Sequence, residues 1–226
     1  MFTAVPRRYD LINHVMTWYL DTRWRRKTAR ACLDGDPRRV LDLCCGTGDL
    51  AIDITRLSGK GVEVTGLDYS EPMLRIAADK AAAIEGITIG FVHGDASAMP
   101  FMEGYFDCVG ISFAFRNLTY KNPLTPGYLS EVYRVLSPGG RFVIVETSQP
   151  KSRLIRGLFH RYLRWFVAPV GARISGNEGA YRYLAASAER FYGPEEVGDL
   201  LKSVGFSGFS FRRLLLGASA VYVAVK

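Results

Sequence analysis

The chain has 226 residues, 48% hydrophobic and 23% charged, which is too apolar for disorder and enough to bury one core in a single domain spanning 1–226. Its apolar stretches are too interrupted for a membrane span. Lys and Arg total 29 against 22 Asp and Glu, and the net +7 suits a nucleic acid, an anionic membrane or plain solubility without choosing among them.

Residues 1–36 read as an N-terminal helical cover. Tyr9 to Cys32 forms short, aromatic-rich helices with basic Arg23, Arg25, Arg26 and Lys27 near their end. The start lacks the apolar run of a secretory signal, and Cys32, Cys44, Cys45 and Cys108 show no zinc or disulfide spacing. A reduced, cytoplasmic setting is therefore expected. From Arg38 the apolar runs RRVLDLCC, GVEVTGLD, ITIGFVHGD, YFDCVGISF and RFVIVET are separated by helical segments. That alternation predicts a parallel sheet covered on both faces. Ser70, ahead of Glu71 and Pro72, is placed to cap a helix. Pro138-Gly139-Gly140 is expected to stop a helix and restart the chain as a strand. Residues 151–190 read as a helical insertion packed as a lid, too short to hold a core of its own. PEEVGDLLKSVGF is a helix, and FSFRRLLL and GASAVYVAVK are a terminal strand pair, antiparallel if the connection near Leu216-Gly217 is tight.

The chemistry begins in the first strand-to-helix turn. Leu41-Asp42-Leu43-Cys44-Cys45-Gly46-Thr47-Gly48-Asp49 places two glycines where backbone N–H groups can approach a ligand. Asp68 ends the next strand, where an acid can accept from both ribose hydroxyls of a nucleoside. The loop lacks a full GxGxxG, and Asp49 at the helix start opposes a diphosphate. It better suits a nucleoside cofactor with a cationic amino group and no phosphate, such as S-adenosylmethionine. Asp95, after the third strand, is placed to hold an adenine amino group, and Asp42 to orient the loop through backbone N–H bonds.

LDLCCGTGDL, GLDYSEPML, GDASAMPF and EVYRVLSPGGRF resemble the class I S-adenosylmethionine-dependent methyltransferases. YDLIN, ISFAFRNLT, VETSQP and AYRYLAASAERF extend the resemblance to the ubiquinone/menaquinone biosynthesis C-methyltransferases, from about Tyr9 to Lys226. The resemblance implies an α/β, Rossmann-like, doubly wound sheet of seven mostly parallel strands with the last antiparallel. It also implies S-adenosylmethionine as cofactor, S-adenosylhomocysteine as product, and methylation of a ring carbon on a prenylated quinol in menaquinone or ubiquinone biosynthesis. A methyltransferase acting on another small molecule or lipid is the alternative. Carried over by position, Thr47, Asp68, Asp95, Ala96 and Ser112 line the cofactor site, and Gly46 and Gly48 shape it. The chain departs from the family pattern at Ala114-Phe115, at Thr147 and in its ending Val221 to Lys226.

A quinol ring carbon becomes nucleophilic when an adjacent phenol ionises, so the protein must favour phenolate and later accept the ring proton. Arg116 and Asn117, after the fourth strand, are the expected catalytic residues; arginine stays cationic and can stabilise the phenolate or orient water. His14 is a candidate proton handler. Tyr9, Asn13, Tyr181 and Tyr183 are candidate pocket covers or hydroxyl binders. At helical spacing Arg153, Arg156, His160 and Arg164 share one face, while Ile155, Phe159, Tyr162 and Phe166 share the opposite one. Such a helix, ending at Pro169, can lie on an anionic membrane, guide a prenyl tail along Phe159 and Phe166, or be ordinary surface cover. No metal cluster and no nucleic-acid recognition module is expected. The partners expected are the quinol and the inner face of the cell membrane, with a homodimer left open.

Overall fold

The computed structural model describes residues 9–59 and 61–226, with side chains from Asn13 onward. Two helices, α1 (Tyr9–Thr17) and α2 (Leu20–Leu33), precede a seven-stranded sheet. Its strands are β1 (Arg39–Leu43), β2 (Glu63–Asp68), β3 (Gly90–His93), β4 (Phe106–Ser112), β5 (Leu136–Thr147), β6 (Gly208–Leu214) and β7 (Ser219–Val225). They lie in the order β3-β2-β1-β4-β5-β7-β6, and only β7 runs antiparallel to its neighbours. The doubly wound, Rossmann-like arrangement is as expected. The remaining helices are α3 (Asp49–Ser58), α4 (Glu71–Ala82), α5 (Phe115–Thr119), α6 (Thr125–Val135), α7 (Arg153–Tyr162), α8 (Ala168–Ser175), α9 (Glu178–Glu189) and α10 (Pro194–Lys202).

The strands feed two cores by alternation. Val40, Val143 and Val145 meet Trp24 and Ala29 of α2 and Leu50 and Ile54 of α3. Leu41, Phe142 and Ile144 meet Leu129 of α6 and Leu201 of α10 on the other face. A third cluster joins Met16 of α1 to Leu163, Val167, Tyr181 and Ala185. The insertion thus does hold a small core, contrary to expectation, by borrowing a side chain from the N-terminal cover. Gly171 permits that docking: a Cβ there would come within 2.2 Å of Met16 and 2.3 Å of Tyr181.

Three local readings need correction. The α6 helix ends at Val135, and Pro138-Gly139-Gly140 lies inside β5, where the register against β4 shifts between Phe106 and Cys108. The irregularity accommodates a residue without an N–H. Ser70 does occupy the N-cap position of α4, but its hydroxyl makes no capping bond. Nor does Pro169 end the insertion helix. Leu163–Val167 widens into a π-helical turn and the chain continues as α8 with the proline in its first turn, which spares the α-helical bond that proline cannot donate. Among the described residues no helix is long and apolar enough to cross a membrane.

Candidate active site

The strand order reverses between β1 and β4, and a cleft opens at their carboxyl ends, where such sheets bind ligands. It encloses about 210 Å³ and is lined by Gly46, Thr47, Asp68, Ser70, Met73 and Ser112, among others. Gly48 makes the turn: its φ is +79°, and a Cβ would approach Ala77 to 2.9 Å. It packs against α4 and does not face the cleft, so its part is to shape the loop. Asp42 accepts from the Ala51 N–H at 2.9 Å and ties the start of α3 to β1, the orienting role expected of it. Asp68 accepts from the Gly46 N–H through one carboxylate oxygen and from the Ser70 N–H through the other, each at 2.8 Å. A second chamber of about 240 Å³ shares Cys44, Tyr69 and Leu118 with the first and is lined by Asp95 and Ala96.

These walls fit S-adenosylmethionine. A Cβ built on Gly46 would meet nothing within 4 Å, so backbone faces open space there. Each Asp68 oxygen can accept one bond beyond the one it has, and the buried Ser70 hydroxyl has no partner. Asp42, Asp49 and Asp68 give the cleft an acidic lining suited to a cation. Thr47 would hold the amino-acid end, Asp68 the ribose, and Asp95 with Ala96 the base. Burial pushes the Asp42 carboxyl well up, and the neighbouring Asp68 and Asp49 push it further.

Against this cleft lies a larger apolar cavity of about 470 Å³, and Asn13, Arg25, Phe113 and Asn117 belong to both walls. Phe113 sits at φ +56°, a conformation non-glycine residues rarely adopt, which turns the chain back between β4 and α5. Arg116 lines the cavity but is only 5% exposed. Its Nη1 donates to Glu146 Oε1 at 3.1 Å and to the Thr147 hydroxyl at 3.2 Å, and its backbone N–H donates to Glu146 Oε2 at 2.9 Å. The Arg116 Nε and the Asn117 Oδ1 are buried without partners. Also lining the cavity, Asp21 accepts from Thr17 and Arg25 and lies 2.8 Å from His14 Nδ1, and Arg25 also reaches Asp49 at 3.1 Å.

The structure therefore gathers Asn13, Arg116, Asn117 and Phe159 around the cavity. It does not place His14, Tyr181, Tyr183 or Phe166 on that wall. His14 stacks on Tyr19 and bonds Asp21 from behind. Tyr181 is buried in the insertion core, and Tyr183 lies partly exposed on α9. Phe166 stacks between Trp18 and Tyr162, because the π-helical turn rotates it out of the face that ideal spacing gives it. The side chain of Tyr9 lies outside the described residues. Sequence reasoning missed Asp21, Arg25, Phe113 and Glu146. A carboxylate within one helical turn of the basic run at 23–27 was the one available signal for Asp21.

A model of the ubiE/COQ5 methyltransferase family matches residues 1–226. The chain is 41% identical to a demethylmenaquinone methyltransferase of Thermus thermophilus, over 99% of this chain and 98% of that one. A second protein of that name, from Deinococcus radiodurans, is 39% identical over 100% of this chain and 91% of its own. Among solved structures, a methyltransferase of Thermotoga maritima described as a possible histamine N-methyltransferase matches with a TM-score of 0.63 at 21% identity, across the full length of both chains. At that identity the likeness is one of fold alone.

Proposed function

The chain belongs to the ubiE/COQ5 methyltransferase family and is an S-adenosylmethionine-dependent methyltransferase; we propose that it methylates a ring carbon of a prenylated quinol, demethylmenaquinol or a related benzoquinol. The observation that carries this reading is the apolar 470 Å³ cavity sharing Asn13, Arg25, Phe113 and Asn117 with the cofactor cleft. It offers a polar end beside the cofactor and an aliphatic and aromatic remainder built from Ile155, Leu158 and Phe159. The names of the Thermus and Deinococcus relatives support the same substrate class.

When bound, S-adenosylmethionine supplies a methyl group already activated by its cationic sulfur. The chain's own work is to position the ring, to favour phenolate and to keep water away. Arg116 does the second through hydrogen-bond donation: Glu146 offsets its charge, while the unpartnered Nε leaves a donor unused. Asn117 Oδ1, on the wall common to both chambers, accepts from a ring hydroxyl. Asn13 closes the same junction from α1.

A membrane-facing location belongs to the same reading. Trp18, Leu158, Leu215 and Leu216 line the cavity and are also exposed, Leu216 by 73%. Leu154 and Trp165 extend that apolar surface along α7 and its π-helical turn. Trp18, Tyr19, Leu215 and Leu216 all have φ between +41° and +59°. Strained backbone that holds large apolar side chains in the open favours a role outside the fold. Exposed Arg153 and Arg161 beside them suit anionic headgroups at the cytoplasmic face.

The function is tested by incubating the protein with labelled S-adenosylmethionine and panels of reduced and oxidised quinones, then locating the label by mass spectrometry. Label on a ring carbon of reduced, prenylated substrates is expected. Label confined to other small molecules or lipids overturns the quinol reading.

A further inference from the structure

Methylation at a ring carbon leaves one proton to remove, and none of the residues expected from sequence to handle it stands on the cavity wall. Among the described residues, Asp21 is the one carboxylate lining the substrate cavity. The carboxylates Asp42, Asp49 and Asp68 line the cofactor cleft instead, and Glu146 is sealed behind Arg116. Asp21 is itself 1% exposed. Its Oδ1 accepts from the Thr17 hydroxyl at 2.7 Å, and its Oδ2 lies 2.8 Å from both His14 Nδ1 and Arg25 Nη1. His14 stacks on Tyr19, and its side chain is 23% exposed. A contiguous line thus runs from the cavity wall through a carboxylate and an imidazole to solvent.

We infer that Asp21 accepts the proton released from the methylated ring carbon and that His14 passes it to solvent. The inference rests on the quinol reading above. As the new C–C bond forms, the bond from methyl carbon to sulfur breaks with its electron pair left on sulfur. The ring C–H bond then breaks, its pair restores aromaticity, and the proton goes to an Asp21 carboxylate oxygen. Asp21 hands it to Nδ1 of His14 in the Nε2–H tautomer, the resulting imidazolium releases its Nε2 proton to water, and proton exchange with water restores that tautomer. A weak base is sufficient, because rearomatisation drives the C–H loss. Burial pushes the Asp21 carboxyl up, but bonds from Thr17 and His14 and the Arg25 charge outweigh it and leave it below its ordinary value. A carboxylate so held passes a proton on and does not store it. The charged groups around the pair are Arg25 and, through it, Asp49 and Asp53.

The test uses a quinol carrying deuterium at the ring carbon to be methylated. Wild-type enzyme should turn over the light and heavy substrates at nearly equal rates, methyl transfer being limiting. Asp21→Asn should retain cofactor affinity, lose about 10²-fold in kcat, and acquire a clear preference for the light substrate. His14→Gln leaves Thr17 and Arg25 to hold Asp21 and should lose less, with added imidazole restoring the rate. Either variant running at the wild-type rate, or Asp21→Asn slowed equally for both isotopes, overturns the relay and makes the pair a structural clasp between α1 and α2. A wild-type enzyme that methylates no quinol in the panel overturns the quinol reading, and the relay falls with it.

Discussion

Arg116 and Glu146 cannot be probed one at a time. Both are buried, Glu146 completely, and the carboxylate also accepts the backbone N–H groups of Arg116 and Thr147. Removing the arginine alone strands that charge, which typically costs about 3–5 kcal/mol. Arg116→Ala is therefore expected to lower the unfolding free energy by that order in urea titrations, and its lost activity would say little about mechanism. Arg116→Met with Glu146→Gln keeps shape and removes both charges. The pair should recover most of the stability yet stay about 10²-fold slow in single turnover, the scale of one lost oxyanion-type donor. A fully active double variant would remove Arg116 from the chemistry. Sequence made Arg116 visible because it directly follows a strand end, where α/β sheets bind. Glu146 was hidden because it lies thirty residues from Arg116, and only folding brings the two together. Asp21 and Arg25 were hidden for a related reason: their partners lie on α1 and α3, and only tertiary docking brings those helices together.

At the level of elements, strands and helices were legible because the alternation of apolar runs survives burial on both faces of the sheet. The insertion was legible as helices but not in phase. One π-helical turn at Leu163–Val167 suffices to move Phe166 off the cavity while Phe159, in α7 before that turn begins, stays on it. Phe159→Ser should therefore slow long-tailed quinols more than short-tailed analogues, whereas Phe166→Ser should mainly lower the melting temperature. The supposed basic face is also thinner than its spacing suggests. Arg164 is engaged by Glu189, and burial holds His160 below its ordinary value, which leaves less charge for a bilayer. The β6–β7 turn supplies what the helix lacks. Asparagine or glycine accepts a left-handed backbone that leucine resists, so Leu215→Asn with Leu216→Gly should raise the melting temperature. The same change should reduce flotation with anionic vesicles, because it removes two exposed apolar side chains from the cavity mouth. Gains in both stability and vesicle binding would argue against a membrane role for this turn.

Over the whole molecule, charge is distributed against its own average. The chain carries +7, yet its cofactor cleft is walled by Asp42, Asp49 and Asp68, and Asp49 is paired with Arg25 on the same wall and with Lys80. Composition alone left a nucleic acid, an anionic membrane and plain solubility open, and said nothing of an acidic interior. Burial raises the folded Asp42 carboxyl well above its ordinary value, while in the unfolded chain it ionises near pH ~3.9. Between those two values the unfolded state binds fewer protons, so the Asp42 contribution to stability falls as pH rises through that window and stays low above it. A cation entering the cleft reverses the balance by favouring the ionised carboxyl. Within that window S-adenosylmethionine should accordingly expel a proton on binding, and S-adenosylhomocysteine, lacking the sulfonium charge, should expel less. Calorimetry in buffers of differing ionisation enthalpy reads that difference directly. Asp42→Asn can still accept from the Ala51 N–H but cannot ionise. It should raise the melting temperature at neutral pH by about 2–4 °C, equivalent to ~1 kcal/mol for a chain of this size. It should also weaken S-adenosylmethionine binding and abolish the extra proton release. Equal proton release by wild type and Asp42→Asn would place the titrating group elsewhere in the cleft, with Asp68 the next to replace.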